Sequence, residues 1–215
     1  MFLLLQFFND MKQDIKRLVK QARKSGDYFT ELRRIAEEVF SKNPTKIAIQ
    51  ISRHLYASEV YQARSLATYI FGMTSAESKL CLDFLRTRVS KDEDWRVQEI
   101  LAQAFDRFCS DAGYELVLPT IKDWLSDSNP NVRRAVTEGL RIWTSRPYFN
   151  EHPEIAIDLL SKHRGDESEY VRKSVGNALR DISRKHKGLI KVELKKWNLA
   201  EKTVMQTYKL ASKFI

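Results

Sequence analysis

The sequence predicts an all-α chain built from stacked helix pairs, and three observations carry that prediction. Apolar residues recur at helical spacing almost everywhere and strict alternation is absent. Only 7 Gly and 5 Pro occur in 215 residues, too few for the tight turns of a sandwich or barrel. The composition, 43% hydrophobic and 11% aromatic with 30% charged, supplies a core and the solvated outer faces of many amphipathic helices, which excludes global disorder.

Taken in order, the apolar opening Met1 to Phe8 lacks a basic stretch and a cleavage site, so it does not read as a signal peptide, and it is too short to span a bilayer. It reads as a packing extension ahead of Met11, itself a candidate natural start. Ile15, Leu18, Val19 and Ala22 mark a first helix, stopped at Ser25-Gly26. Leu32, Ile35, Ala36, Val39 and Phe40 mark a second, with Thr30 as its N-cap and Asn43-Pro44 as its stop. From there a period emerges. Ala63, Val97, Val132, Val171 and Val204 fall in register at spacings of 34, 35, 39 and 33 residues. Asn131-Val132-Arg133-Arg134-Ala135-Val136 parallels Tyr170-Val171-Arg172-Lys173-Ser174-Val175, and an acidic or Ser/Asn turn precedes each. Such a period with Val-Arg-Arg opening the second helix is the signature of HEAT-like units, which bury their apolar faces only by stacking. The expected fold is therefore an α-α superhelix (solenoid) of HEAT-like two-helix repeats. It would form a single domain over 1–215, with capping helices in 1–43 and five units at 44–73, 76–109, 113–143, 152–184 and 188–215. The 39-residue spacing predicts an inserted loop at 144–152, between Pro147 and Pro153.

Charge narrows the partner. Lys and Arg number 37 against 28 Asp and Glu, a net charge of +9, and from Arg133 onward the count is 18 against 10. Second helices line the concave face of such a stack, so equivalent basic residues would form a ladder. Arg64, Arg96, Arg133, Arg134, Arg141, Arg172, Lys173, Arg180 and Arg184 are its members, a footprint suited to the phosphates of nucleic acid. The competing reading gives each arginine to the acidic turn of its own or the neighbouring repeat. A second constellation is Trp95 and Glu99, four apart and so on one helix face. Arg134 lies one repeat further on, Glu138 follows it by four, and Asp181 holds a similar place in the next unit. Carboxylates in a basic groove are unfavourable unless they meet a cationic group or developing positive charge. A structural Glu–Arg network is the alternative.

Four blocks stand in order along the chain: Glu31-Leu32-Arg33-Arg34-Ile35-Ala36, Asp94-Trp95-Arg96-Val97-Gln98-Glu99, the Asn131 block through Thr137-Glu138-Gly139, and Ser168-Glu169-Tyr170-Val171 through Ala178-Leu179-Arg180-Asp181-Ile182. Together they resemble the HEAT-like-repeat DNA alkylation repair proteins, the AlkD/AlkC group of DNA glycosylases. The resemblance implies excision of cationic N3- and N7-alkylated purines from double-stranded DNA. It implies Trp95 packed on the lesion, Glu99 stabilising the oxocarbenium-like sugar, Arg134 gripping the backbone, and Glu138 and Asp181 as further acidic members of the site. Arg96, Arg133, Arg141, Arg172, Lys173, Asn177 and Arg180 would hold the DNA. No metal or organic cofactor has a motif. Two departures stand out: Asn177 replaces a second tryptophan, and only Asp27-Tyr28-Phe29-Thr30 separate Gly26 from Glu31, where the family carries a longer segment. A non-catalytic DNA-binding paralogue and a HEAT-repeat interaction scaffold therefore remain open. Cys81 and Cys109 read as buried free thiols in a reducing compartment, and a cytoplasmic monomer that does not bind membranes is expected.

Overall fold

The computed structural model describes residues 2–26 and 28–215, with side chains for all of these except 2–5, 7–10 and 142. Thirteen α-helices and no strand occur among them, and none of these helices is long and apolar enough to cross a membrane. The apolar side chains of Phe2 to Leu5 lie outside the described residues. Contacts divide the chain into two compact units, Met1–Asp111 and Ala112–Ile215.

The first unit opens with α1 (Phe2–Lys24) and α2 (Phe29–Lys42). Two helix pairs follow, α3 (Thr45–Tyr56) with α4 (Tyr61–Thr74) and α5 (Lys79–Thr87) with α6 (Trp95–Ala112). α1 runs unbroken through Asp10, so the apolar opening and the amphipathic stretch after it form one helix. It stops where Gly26 takes a left-handed φ of 56°, a conformation that ends helices at little cost to glycine. Thr30 is not the N-cap of α2. The helix already starts at Phe29, Tyr28 stands at the cap, and no side chain bonds there. α4 is buried almost all round because α1, α2, α3 and α5 pack against it. Its approach to α6 is so close that a Cβ on Gly72 would lie 2.7 Å from the Ala104 Cα.

The second unit holds α7 (Leu118–Leu125) with α8 (Pro130–Gly139), then a 3-10 turn Leu140–Ser145 and the short α9 (Pro147–Glu151). Two more pairs complete it, α10 (Pro153–Ser161) with α11 (Glu169–Ser183) and α12 (Lys187–Leu194) with α13 (Lys202–Ala211). The expected inserted loop is thus ordered structure. Phe149 is fully buried and stacks on Trp143 at 4.3 Å between ring centroids, and Arg146 Nε donates to Tyr114 Oη at 2.6 Å. Burying a phenylalanine of this kind contributes about 1.5–3 kcal/mol, enough to fold a short insertion onto its unit.

α11 and α13 meet at Gly176, where a Cβ would lie 2.7 Å from the Leu210 Cβ and 2.9 Å from the Thr207 carbonyl oxygen. A backbone oxygen cannot rotate aside. Gly176→Ala is therefore expected to cost about 1–3 kcal/mol through overpacking. The check is a urea melt, in which the midpoint should fall while the slope stays unchanged.

Candidate nucleic-acid interface

The turns between paired helices share one hydrogen-bond pattern. The Asp92, Asp127 and Asp166 carboxylates each accept from the backbone N–H two residues on, at 3.0, 2.8 and 2.9 Å. Ser58 and Asn198 hold the same place in their turns, accepting from the N–H of Val60 and Ala200. Six residues beyond the turn residue a long polar side chain reaches back to the turn. Arg64 donates to the Ser58 and Glu59 carbonyls, Arg133 to those of Asp127 and Ser128, and Arg172 to those of Asp166 and Glu167, all within 2.6–3.2 Å. Gln98 donates to the Asp92 carbonyl at 2.7 Å.

These arginines also reach the following repeat. Arg64 forks the Asp92 carboxylate at 2.9 and 3.0 Å, and Arg133 forks Asp166 at 2.8 Å through both nitrogens. Arg172 donates twice to Gln206 Oε1, at 3.0 and 2.7 Å. All three arginines are buried. Arg133 and Arg172 therefore do not stand on an open face as the ladder required. They are joints between repeats, the competing reading of the sequence. Burial pushes the Asp166 carboxyl up, but its bonds to Arg133 and the Ser168 N–H outweigh that and hold it below the usual carboxylate range. The signal for the joint was in the sequence: an Asp or Ser in the turn followed six residues later by Arg.

Arg96 is likewise committed. It bonds Asp94 through Nε and Nη2 at 3.0 and 2.8 Å, and its guanidinium lies 3.6 Å above the Tyr61 ring. Trp95 is different. It opens α6 with 63% of its surface exposed, and Glu99 stands half-buried one turn on, along the same face. Both belong to the first unit; Arg134, Glu138 and Asp181 belong to the second.

Within the second unit, residues 134, 138 and 141 share one face of α8 and the turn after it, and residues 173, 177, 180 and 184 share one face of α11. Lys173 is exposed and pairs with Glu169 at 2.6 Å. Arg180 donates to Asn177 Oδ1 at 3.0 Å and to Asp181 at 3.1 and 3.2 Å. Arg141 Nε donates to Asp181 at 3.0 Å, and its Nη1 lies 3.7 Å from Glu138. Arg184 lies 3.9 Å from Asp181. Asp181 is thus the hub of three guanidinium groups, and Glu138 faces Arg141. Neither is an isolated carboxylate waiting for a cationic ligand. What the faces offer is a net positive charge at three-to-four-residue spacing, with Arg141, Lys173, Arg180 and Arg184 sharing the three carboxylates Glu138, Glu169 and Asp181.

A helical repeat protein with buried arginine joints and a net positive face on its second unit is the class these features define. The chain belongs to the DNA alkylation repair enzyme family, whose model matches residues 9–210. It is similar to AlkD2 from Streptococcus mutans, whose crystal structure superposes with a TM-score of 0.92 at 50% identity, covering 95% of this chain and 99% of that one. The structure of smu.31 from Streptococcus mutans UA159 gives 0.90 at 49% identity, over the same shares of the two chains. The fold alone is shared with a predicted DNA alkylation repair enzyme from Enterococcus faecalis, with a TM-score of 0.65 at 14% identity over 91% of this chain and 95% of that one. An uncharacterized protein, YhaZ of Bacillus subtilis (strain 168), is 37% identical over 87 residues, which span 39% of this chain and only 24% of that relative.

Proposed function

We propose that the protein binds double-stranded DNA, alkylated or otherwise non-canonical, in alkylation repair. The observation that carries this reading is the sorting of the arginines into two sets. Arg64, Arg133 and Arg172 are buried as joints, while Arg134, Arg141, Arg180, Arg184 and the neighbouring Lys173 fall on helix faces that reach solvent, four of them beside carboxylates, with a surplus of positive charge. Phosphates are met by such cations, and they orient the duplex without reading its sequence.

Within that reading, Trp95 and Glu99 are the candidates for excision of cationic N3- or N7-alkylated purines. An exposed indole offers a surface for the lesioned nucleotide, and a carboxylate one turn away would stabilise positive charge as the N-glycosidic bond breaks. Glu99→Gln keeps the shape and removes the charge. Release of 3-methyladenine or 7-methylguanine from methylated DNA should then fall by about 10²-fold or more, while binding to undamaged duplex holds.

A second reading is favoured by two observations. Only four residues separate α1 from α2, which leaves no room there for an additional helix against the minor groove. Glu138 and Asp181 are also engaged by arginines. On that reading the protein binds DNA without cutting it, and the wild type binds duplex yet releases no base.

A further inference from the structure

In the first unit, aromatic side chains stand at the start of α2, α4 and α6. Tyr28 caps α2, Tyr61 opens α4 and Trp95 opens α6. These helices are neighbours: α2 packs against α4, and α4 meets α6 at Gly72 and Ala104. Tyr28 and Trp95 are 75% and 63% exposed. Tyr61, on the helix between theirs, is half-buried and carries a guanidinium group. The Arg96 guanidinium carbon lies 3.6 Å from the Tyr61 ring centroid and 5.9 Å from that of Trp95. Tyr61 Oη also reaches the carbonyl of Gly26, in the turn that leads to Tyr28, at 3.5 Å. Asp94 holds the edge of Arg96 through Nε and Nη2, which fixes the guanidinium plane over the ring and balances its charge. Tyr28, Tyr61 with Arg96, and Trp95 thus form a row of flat π surfaces with little net charge of its own. An exposed row of this kind marks a binding surface.

We propose that this row stacks the unpaired bases of a nucleic-acid strand, as at a gap or flap in DNA. Every base has a π face, so aromatic platforms hold single strands without reading their sequence, and a stacked arginine extends such a platform by cation–π attraction. Bases inside a duplex are already stacked on one another and offer their faces only at an end or an interruption. The dimensions agree. Packed helix axes lie about 8–10 Å apart and bases follow one another at about 3.4 Å, so on the order of two bases fit between neighbouring platforms. Trp95 keeps the role proposed for it above and adds the last platform, whereas Tyr28 and Tyr61 have no part in that role. The inference rests on the nucleic-acid reading above, though not on its duplex part, and gives it a substrate class: DNA whose strands are locally unpaired. The competing occupant is a protein segment laid across the same rings.

The test follows fluorescence anisotropy of three labelled DNAs: an intact duplex, the same duplex with a short single-stranded gap, and an oligothymidylate strand. The gapped duplex should bind about tenfold more tightly than the intact one. Tyr28→Ala should abolish that preference, and Tyr28→Phe, which keeps the ring, should retain it. Tyr170→Ala removes a tyrosine of the second unit that is 72% exposed, and it should change the preference by less than about twofold. The log–log salt slope should be the same in the wild type and in Tyr28→Ala, because no phosphate contact is lost. Equal binding of gapped and intact duplex, or equal losses in Tyr28→Ala and Tyr170→Ala, would overturn the row and leave the DNA reading intact. Binding of the single strand alone, lost in Tyr28→Ala, would support the row and refute the duplex. Binding of none of the three would overturn both and leave the protein segment as the occupant.

Discussion

Arg133→Met is expected to destabilise the protein by about 3–5 kcal/mol, because it strands the buried Asp166 carboxylate without its guanidinium partner. Arg133 and Asp166 side chains are only 8% and 5% exposed, so water does little to screen or replace the pair. The change also orphans the Asp127 and Ser128 carbonyls. Replacing both charged partners, as Arg133→Met/Asp166→Leu, should recover part of the loss, since the uncompensated charge is then gone. Lys173→Met, on an exposed and solvated side chain, should leave the melting temperature unchanged. A single Arg133→Met variant that melts with the wild type would refute the joint.

The same joint fixes the direction of acid sensitivity. Asp166 is held below its unfolded value, so its contribution is present above the ordinary carboxylate pKa of about 3.9 and is lost as pH falls through the lower folded value. His163, 3.6 Å from Asp166, adds a limb at higher pH. Burial lowers its pKa, the nearby Asp166 opposing, so the unfolded chain takes up the proton first and stability declines as pH falls below about 6.5. Thermal melts across that range should show both limbs, and His163→Gln should remove the upper one.

Duplex affinity is expected to fall steeply with salt, by about 10³–10⁵ between 50 and 200 mM if 6–10 phosphates are neutralised. Charge reversal on the helix faces, at the half-buried Arg134 and the exposed Lys173 (Arg134→Glu and Lys173→Glu), should lower both affinity and slope, by about one slope unit for every phosphate no longer neutralised. Charge reversal at Arg172 is the wrong probe of the same idea, because its guanidinium is buried on Gln206 and two carbonyls and the variant would unfold before it reported on DNA. Unchanged affinity in both helix-face variants would discard the DNA interface and favour a protein-interaction scaffold.

The sequence by itself determined the all-helical class and the spacing at which helices recur, but not every boundary: α2 starts at Phe29 rather than after Thr30, and α1 runs on through Asp10. Class and spacing are set by local quantities: apolar spacing, Asp and Ser turns, and prolines at helix starts such as Pro130 and Pro153. It also determined the family, through blocks of adjacent residues around Trp95, Arg133 and Arg172. Arg133 and Arg134 differ by one position and about 100° around a helix; the six-residue spacing from Asp127 marks Arg133 as the one that turns back to the turn carbonyls, but its partner Asp166, 33 residues on, is assigned only by the packed helices. Asp181 is the clearest case. From spacing it was a candidate acid; the tertiary structure surrounds it with Arg141, 40 residues away, and with Arg180 and Arg184. Phe149 is similar, an unremarkable loop residue until Trp143 and Tyr114 close over it. Secondary structure is written in interactions between residues three and four apart. The fate of a charge depends on partners a full repeat away, and those distances are decided only when the helices pack.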